Sequence, residues 1–220
     1  MGVTDPADPP HLSRAPRVRD MPPPRRSSGA VGVAVPWIFQ WPYRAILSFL
    51  LWIGIRPYQL TLLSFLLMLA TGVLILAGSW FWAGLALVGS GIGDVFDGSV
   101  ARQRGIAKRS GAFMDSVLDR VSDLVLFASL FWNLANEGDR VLAALALVTL
   151  IVSLAVSHVR AEAEAAGVTL TEGLFQRLER VLAMIVGLLI PGAMGPVLVV
   201  LAILGALTVV QRSLTALRGA

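Results

Sequence analysis

The sequence predicts an all-α integral membrane protein, a bundle of six transmembrane helices with an N-terminal amphipathic helix lying in the membrane interface. Three observations carry that prediction. Hydrophobic residues make up 56% of the 220-residue chain and the mean hydropathy is +0.75, more than one soluble core requires. From residue 59 onward the apolar residues fall into six segments, 59–78, 81–101, 113–134, 141–159, 178–191 and 195–211. Most approach the length that crosses a hydrocarbon layer of about 30 Å. The connections are brief, Gly78-Ser79, Asn136–Asp139 and Pro191–Pro196, as in an up-and-down bundle. The chain has no cysteine, which excludes a disulfide framework.

Taken in order, residues 1–34 are predicted to form a disordered cytoplasmic tail, and residues 35–220 a single membrane domain. The first thirty residues hold seven of the twelve prolines and five arginines, with few apolar side chains to bury. They lack the charged-then-apolar order of a signal peptide. Arg14 to Arg26 offer some attraction to anionic lipid, but a solvated tail is favoured, and His11 within it has no assigned role. The stretch VPWIFQWPYRAILSFLLWIGI, residues 35–55, is aromatic-rich and broken by Pro36 and Pro42. It reads as the interfacial helix, with Trp37, Trp41 and Tyr43 at headgroup depth; the competing reading is a seventh span.

Charge sets the orientation. With the amino terminus in the cytoplasm, six spans return the carboxyl terminus there, and only Arg140 of eighteen basic residues falls outside. The basic excess is thus topological, and no nucleic-acid partner is expected. The expected location is the cytoplasmic membrane, with both termini and the chemistry on the cytoplasmic side.

That chemistry centres on Gly93–Asp123, which holds Asp94, Asp97, Asp115, Asp119 and Asp123, five of the fourteen acidic residues. Carboxylates at a membrane edge are costly and imply a cationic or catalytic partner. On helices, Asp94 and Asp97 share one face, with Gly98 and Ala101 on or beside it, and Asp115, Asp119 and Asp123 form a second stripe. A short basic loop between the helices brings the stripes together. Capping, or pairing with Arg102, Arg104 and Arg120, accounts for one or two of these acids, not for two matched stripes. Converging carboxylates need divalent cations, and an oxygen-only donor set favours Mg²⁺ or Mn²⁺.

The spacing Asp94-x2-Asp97-Gly98-x2-Ala101-Arg102-x8-Gly111-x3-Asp115-x3-Asp119 resembles the complete signature of the CDP-alcohol phosphotransferases, eight fixed positions within 26 residues. The resemblance implies an integral membrane enzyme with six transmembrane helices, the signature spanning the second and third, and a homodimeric assembly. Its activity would be transfer of a phosphatidyl group from a CDP-lipid such as CDP-diacylglycerol to a polar alcohol, with release of CMP. It implies that Asp94, Asp97, Asp115 and Asp119 hold two metal ions and that Asp119 is also the general base. Gly98, Ala101, Arg102 and Gly111 become CDP-lipid positions, and Arg102 pairs with phosphate. Related enzymes have a Pro-x-x-x-Thr that helps hold the nucleotide, matched here by Pro57 and Thr61; helix initiation alone also explains that pair. Asp123 falls outside the signature and is expected to support Arg120 or a ligand.

For the acceptor, Arg160, Arg177, Arg180 and Arg212 sit at the cytoplasmic ends of the last three spans, placed for a phosphate pocket. SHVRAEAEAAG (157–167), GLFQRLERVL (173–182) and MDSVLDRVSD (114–123) resemble the inositol-phosphate-using branch, which points to inositol 1-phosphate. Glu162, Leu178 and Lys108 depart from that branch's usual arginine, proline and small hydroxyl. His158 takes an aromatic position and is expected to pack. Glycerol-3-phosphate is the rival acceptor, and serine fits less well because it brings no phosphate. A divalent-cation transporter would need polar groups along its whole path, whereas the outer halves of these spans are Leu, Val, Ala and Phe.

Overall fold

A computed structural model describes residues 18, 21–22, 40–168 and 177–219. Among the described residues there is no strand, and seven α-helices follow one another: α1 Gln40–Ile53, α2 Pro57–Leu76, α3 Trp80–Gln103, α4 Arg109–Asn136, α5 Arg140–Ala165, α6 Arg177–Leu189 and α7 Met194–Gly219. Each of the six predicted apolar segments falls on one of α2 to α7, offset by a few residues at the ends. The predicted tail and residues 169–176 lie outside the described residues, except that Met21 is buried against α1 beside Tyr43 and Leu47.

Three helices, at Pro57–Leu76, Arg140–Ala165 and Met194–Arg218, are long and apolar enough to cross a membrane. Their outward faces carry Leu62, Leu66, Val73, Ile151, Ile203 and Val210, as apolar as the interior, which is how a helix surface facing lipid is composed. Buried hydroxyls on the spans do not go unpaired. Thr71, Thr149 and Thr208 each donate to the carbonyl four residues earlier, at 2.9, 2.8 and 2.7 Å.

Local chemistry explains the helix ends. Pro57 opens α2, where its missing N–H costs nothing, and the Gln59 side chain accepts from the Arg56 amide at 2.9 Å. Asp139 caps α5 by accepting from the Leu142 amide at 3.0 Å. Gly105, at φ 67°, closes α3 in the left-handed conformation that L side chains avoid. The Ile106 amide then reaches back to the Ala101 carbonyl at 3.1 Å, and the chain turns into α4 within a few residues.

The helices pack as a closed ring. Around it run α3, α2, α4, α5, α7 and α6, which returns to α3, while α1 leans on α3 from outside. Small residues set the spacing: a Cβ on Gly72 would meet Val125 of α4 at 2.7 Å, and one on Gly205 would meet Val152 of α5 at 2.5 Å. Although consecutive in sequence, α3 and α4 do not lie along each other, because α2 stands between them. Phe127, Leu87, Leu130, Met184 and Leu198 fill the ring, and a second cluster of Tyr43, Leu47, Phe96 and Val100 joins α1 to α3. The gap between α3 and α4 is where the aspartates project.

Candidate active site

The C-terminal half of α3 carries Asp94 and Asp97, and α4 carries Asp115, Asp119 and Asp123 on successive turns from near its start to its middle. Carboxylate oxygens of Asp94, Asp97 and Asp115 come within 4.8 Å of one another across the gap. Asp97 is the buried member of the three. The Thr61 hydroxyl donates to its Oδ2 at 2.6 Å, and the Gly98 amide donates to Oδ1. Each carboxylate oxygen has two lone pairs, so both retain room for a metal. Thr61, expected near a nucleotide, therefore orients an aspartate.

Asp94 and Asp119 are joined by one cation. Arg177, the first residue of α6, directs Nη1 to both carboxylates. One turn deeper, Asp123 Oδ2 accepts from Arg180 Nη2 at 2.8 Å and from the Ser153 hydroxyl of α5, and all three residues are buried. This resolves the role left open for Asp123. It does not pair with Arg120, which bonds the Ser116 and Ser157 carbonyls at 2.7 and 3.4 Å.

Of the carboxylates of Asp94, Asp97, Asp115 and Asp119, two share the Arg177 guanidinium and the other two have no ion pair among the described residues, which leaves a local excess of negative charge. All the donors are oxygens. Such a set fits a hard divalent cation such as Mg²⁺ or Mn²⁺.

Arg102 lies back along α3. Its Nη2 donates to Ser99 Oγ at 3.0 Å, and a Cβ on Gly98 would stand only 3.1 Å from its Nη1, so that glycine makes room for the guanidinium. Ala101 is half-buried on the same helix. Gly111, in the first turn of α4, is exposed, and a Cβ there would meet nothing within 4 Å.

The four arginines expected to gather around an acceptor are distributed. Arg177 goes to the aspartates and Arg180 to Asp123. Exposed Arg160 pairs with Glu164 at 2.8 Å, and buried Arg212 donates to the Val156 carbonyl at 3.3 Å. Arg160 and Arg180 remain close enough to Arg212 to repel it, with Glu164 opposing them. Glu162 stands outside this group, exposed and 4.0 Å from His158. His158 does not pack as expected, because its side chain is 73% exposed. Tyr43 differs in the other sense: expected at headgroup depth, it is buried, while Trp41 is 74% exposed. Trp37 lies outside the described residues.

A profile of the CDP-alcohol phosphatidyltransferase family matches residues 55–211. The chain belongs to that family. Within it, the phosphatidylinositol phosphate synthase of Mycobacteroides abscessus is 37% identical over 142 residues, which cover 61% of this chain and 64% of that relative. The archaetidylinositol phosphate synthase of Methanothermobacter thermautotrophicus is 34% identical over 165 residues, covering 73% of this chain and 82% of its own. The crystal structure of Mycobacterium tuberculosis phosphatidylinositol phosphate synthase with CDP-DAG bound matches with a TM-score of 0.70 at 31% identity, over 78% of this chain and 92% of that one. The same protein in complex with manganese and citrate matches equally well, with a TM-score of 0.70. In this CDP-alcohol phosphatidyltransferase family member the profile begins after α1, so Tyr43 lies outside the family match.

Proposed function

We propose that the protein makes a phospholipid by transferring a phosphatidyl group from CDP-diacylglycerol to inositol 1-phosphate, with release of CMP. The observation that carries this reading is the convergence of Asp94, Asp97 and Asp115, three of the four signature aspartates, across the gap between α3 and α4 in a chain of this family. The names of the relatives favour the inositol-phosphate branch. We also propose six membrane spans, α2 to α7, with α1 at the cytoplasmic interface, both termini and the site in the cytoplasm, and a homodimeric assembly.

Asp94, Asp97, Asp115 and Asp119 would hold Mg²⁺ or Mn²⁺, two ions per site, and the bound ions would neutralise the diphosphate and stabilise the departing CMP. The protein's own residues do the rest. Gly98 lets the CDP-lipid approach the α3 backbone, and Arg102 pairs with its phosphate. The acceptor hydroxyl oxygen forms a bond to the lipid-bearing phosphorus as the bond from that phosphorus to the CMP oxygen breaks. The hydroxyl proton passes to Asp119. Arg160, Arg177 and Arg212 take the acceptor phosphate, and Arg177 leaves Asp94 and Asp119 to do so. Arg180 has a different task, holding Asp123.

The test is CMP release from CDP-diacylglycerol with inositol 1-phosphate, glycerol-3-phosphate, free inositol and serine as acceptors. The reading expects inositol 1-phosphate to be used best. Preference for an uncharged alcohol would overturn the phosphate pocket, and preference for glycerol-3-phosphate would move the enzyme to the other branch.

A further inference from the structure

We propose that Tyr43 is a positioning residue for the CDP-lipid site, acting through Ser99 on Arg102. The inference rests on the donor-site reading above but concerns a helix outside the family match. The Ser99 hydroxyl is saturated. It donates to the Val95 carbonyl at 2.9 Å, and it accepts from the Tyr43 hydroxyl at 2.8 Å and from Arg102 Nη2 at 3.0 Å. A hydroxyl has one proton and two lone pairs, so these three bonds use all of its capacity and fix its rotamer. Because that proton is committed to Val95, both lone pairs face donors, one from α1 and one from Arg102.

The tyrosine end is equally constrained. Tyr43 is 9% exposed and Ser99 5% exposed, so the phenol has no water to turn to. Its ring stacks on Phe96 with centroids 5.1 Å apart and planes 21° apart, and Leu47, Leu60 and Val100 belong to the same cluster. Phe96 immediately precedes Asp97. Helix α1 thus grips the turn of α3 that presents Asp97, Gly98 and Arg102, while Arg102 itself is exposed, its guanidinium lying beside Gly98. A long arginine left free would sample many rotamers, and ordering it on binding would weaken affinity. The Tyr43–Ser99 bond sets that order in advance.

The experiment compares Tyr43→Phe, Ser99→Ala, the double variant and Arg102→Gln in the full-length protein. It measures Kd for CDP-diacylglycerol in detergent micelles with Mn²⁺, and separate KM values for CDP-diacylglycerol and inositol 1-phosphate. Tyr43→Phe keeps the stacked ring and so keeps the fold. It is expected to raise the CDP-lipid Kd and KM by about 3- to 10-fold, the worth of one neutral hydrogen bond, with the acceptor KM unchanged. Ser99→Ala should do at least as much, and adding Tyr43→Phe to it should cost nothing further, because the route is already cut. A Tyr43→Phe enzyme with normal CDP-lipid Kd, or additive effects in the double variant, would overturn the relay. If Arg102→Gln also leaves that Kd unchanged, the assignment of Arg102 to the donor fails; if Arg102→Gln raises it and Tyr43→Phe does not, only the relay fails.

Discussion

Arg180 offers the sharpest test of which arginines serve the acceptor and which serve the fold. Its guanidinium and the Asp123 carboxylate are 8% and 7% exposed, 2.8 Å apart, and join α6 to α4 with Ser153 of α5 as the third member. Replacing Arg180 by Met keeps most of the volume and leaves a buried carboxylate with one hydroxyl donor. Removing one partner of a buried pair costs about 3–5 kcal/mol. For a chain of this size that corresponds to a fall of roughly 6–20 °C in Tm, and the retained Ser153 bond favours the lower end. Replacing both partners by apolar residues, Asp123→Leu with Arg180→Met, removes both charges and their desolvation, and should restore most of the loss. Thermal unfolding in detergent, followed by tryptophan fluorescence without substrate or metal, reads the effect. Two results would refute the reasoning: Arg180→Met with an unchanged Tm and a raised acceptor KM, or a double variant no more stable than Arg180→Met. The first of these would return Arg180 to the phosphate pocket.

Three further outcomes are expected. EDTA should abolish CMP release and Mg²⁺ or Mn²⁺ should restore it; full turnover in metal-free buffer would sink the role given to the aspartates. Asp119→Asn should insert and fold normally but turn over about 10²-fold more slowly or worse, the usual contribution of a general base, whereas a near-normal rate would make Asp119 structural. Arg177→Gln should raise the acceptor KM about 10- to 150-fold, since a charge-assisted bond to phosphate is worth about 1.5–3 kcal/mol. The same variant should bind Mn²⁺ more tightly in calorimetry, because it removes the cation already paired with Asp94 and Asp119; unchanged Mn²⁺ affinity would show that this pairing does not compete.

The spans and the aspartates were legible in the sequence for different physical reasons. A helix facing lipid must be apolar along most of its length, so α2, α5 and α7 stand out by composition alone. The aspartates stand out because spacings of three and four confine charges to one face within an apolar background. The order of helices around the ring was not legible. Helices apolar on every side, such as α2, carry no stripe that marks a neighbour, and contacts such as Gly72 against Val125 depend on packing rather than pattern. Arginine roles were hidden for a related reason. Arg177 and Arg180, three residues apart, end on different aspartates, and a side chain of that reach serves an acceptor or a carboxylate equally well from one backbone position. Tyr43 and Ser99 gave only weak signals, a tyrosine among exposed tryptophans and a serine inside a signature that does not specify it.

Cation pairing, rather than burial, separates the aspartates that remain open to a metal from the one that does not: Asp97 and Asp123 are both buried, yet only Asp123 has an arginine of its own. Asp123, the deepest of the second stripe, is buried, and its Oδ2 accepts from both Arg180 and Ser153, so its charge is met by a cation. Asp119 and Asp94, a turn nearer the open end, share one guanidinium and are each left with part of a charge uncompensated. Asp115 is exposed, and among the described residues no side chain donates a hydrogen bond to it. Asp97 is buried yet receives only neutral donors, Thr61 and the Gly98 amide, which orient a carboxylate without cancelling its charge. Cation pairing is therefore least complete at Asp97 and Asp115, and the charge left over there adds to that of the partly compensated Asp94 and Asp119. The family signature includes Asp94, Asp97, Asp115 and Asp119 and stops short of Asp123, which is also where the electrostatic deficit ends.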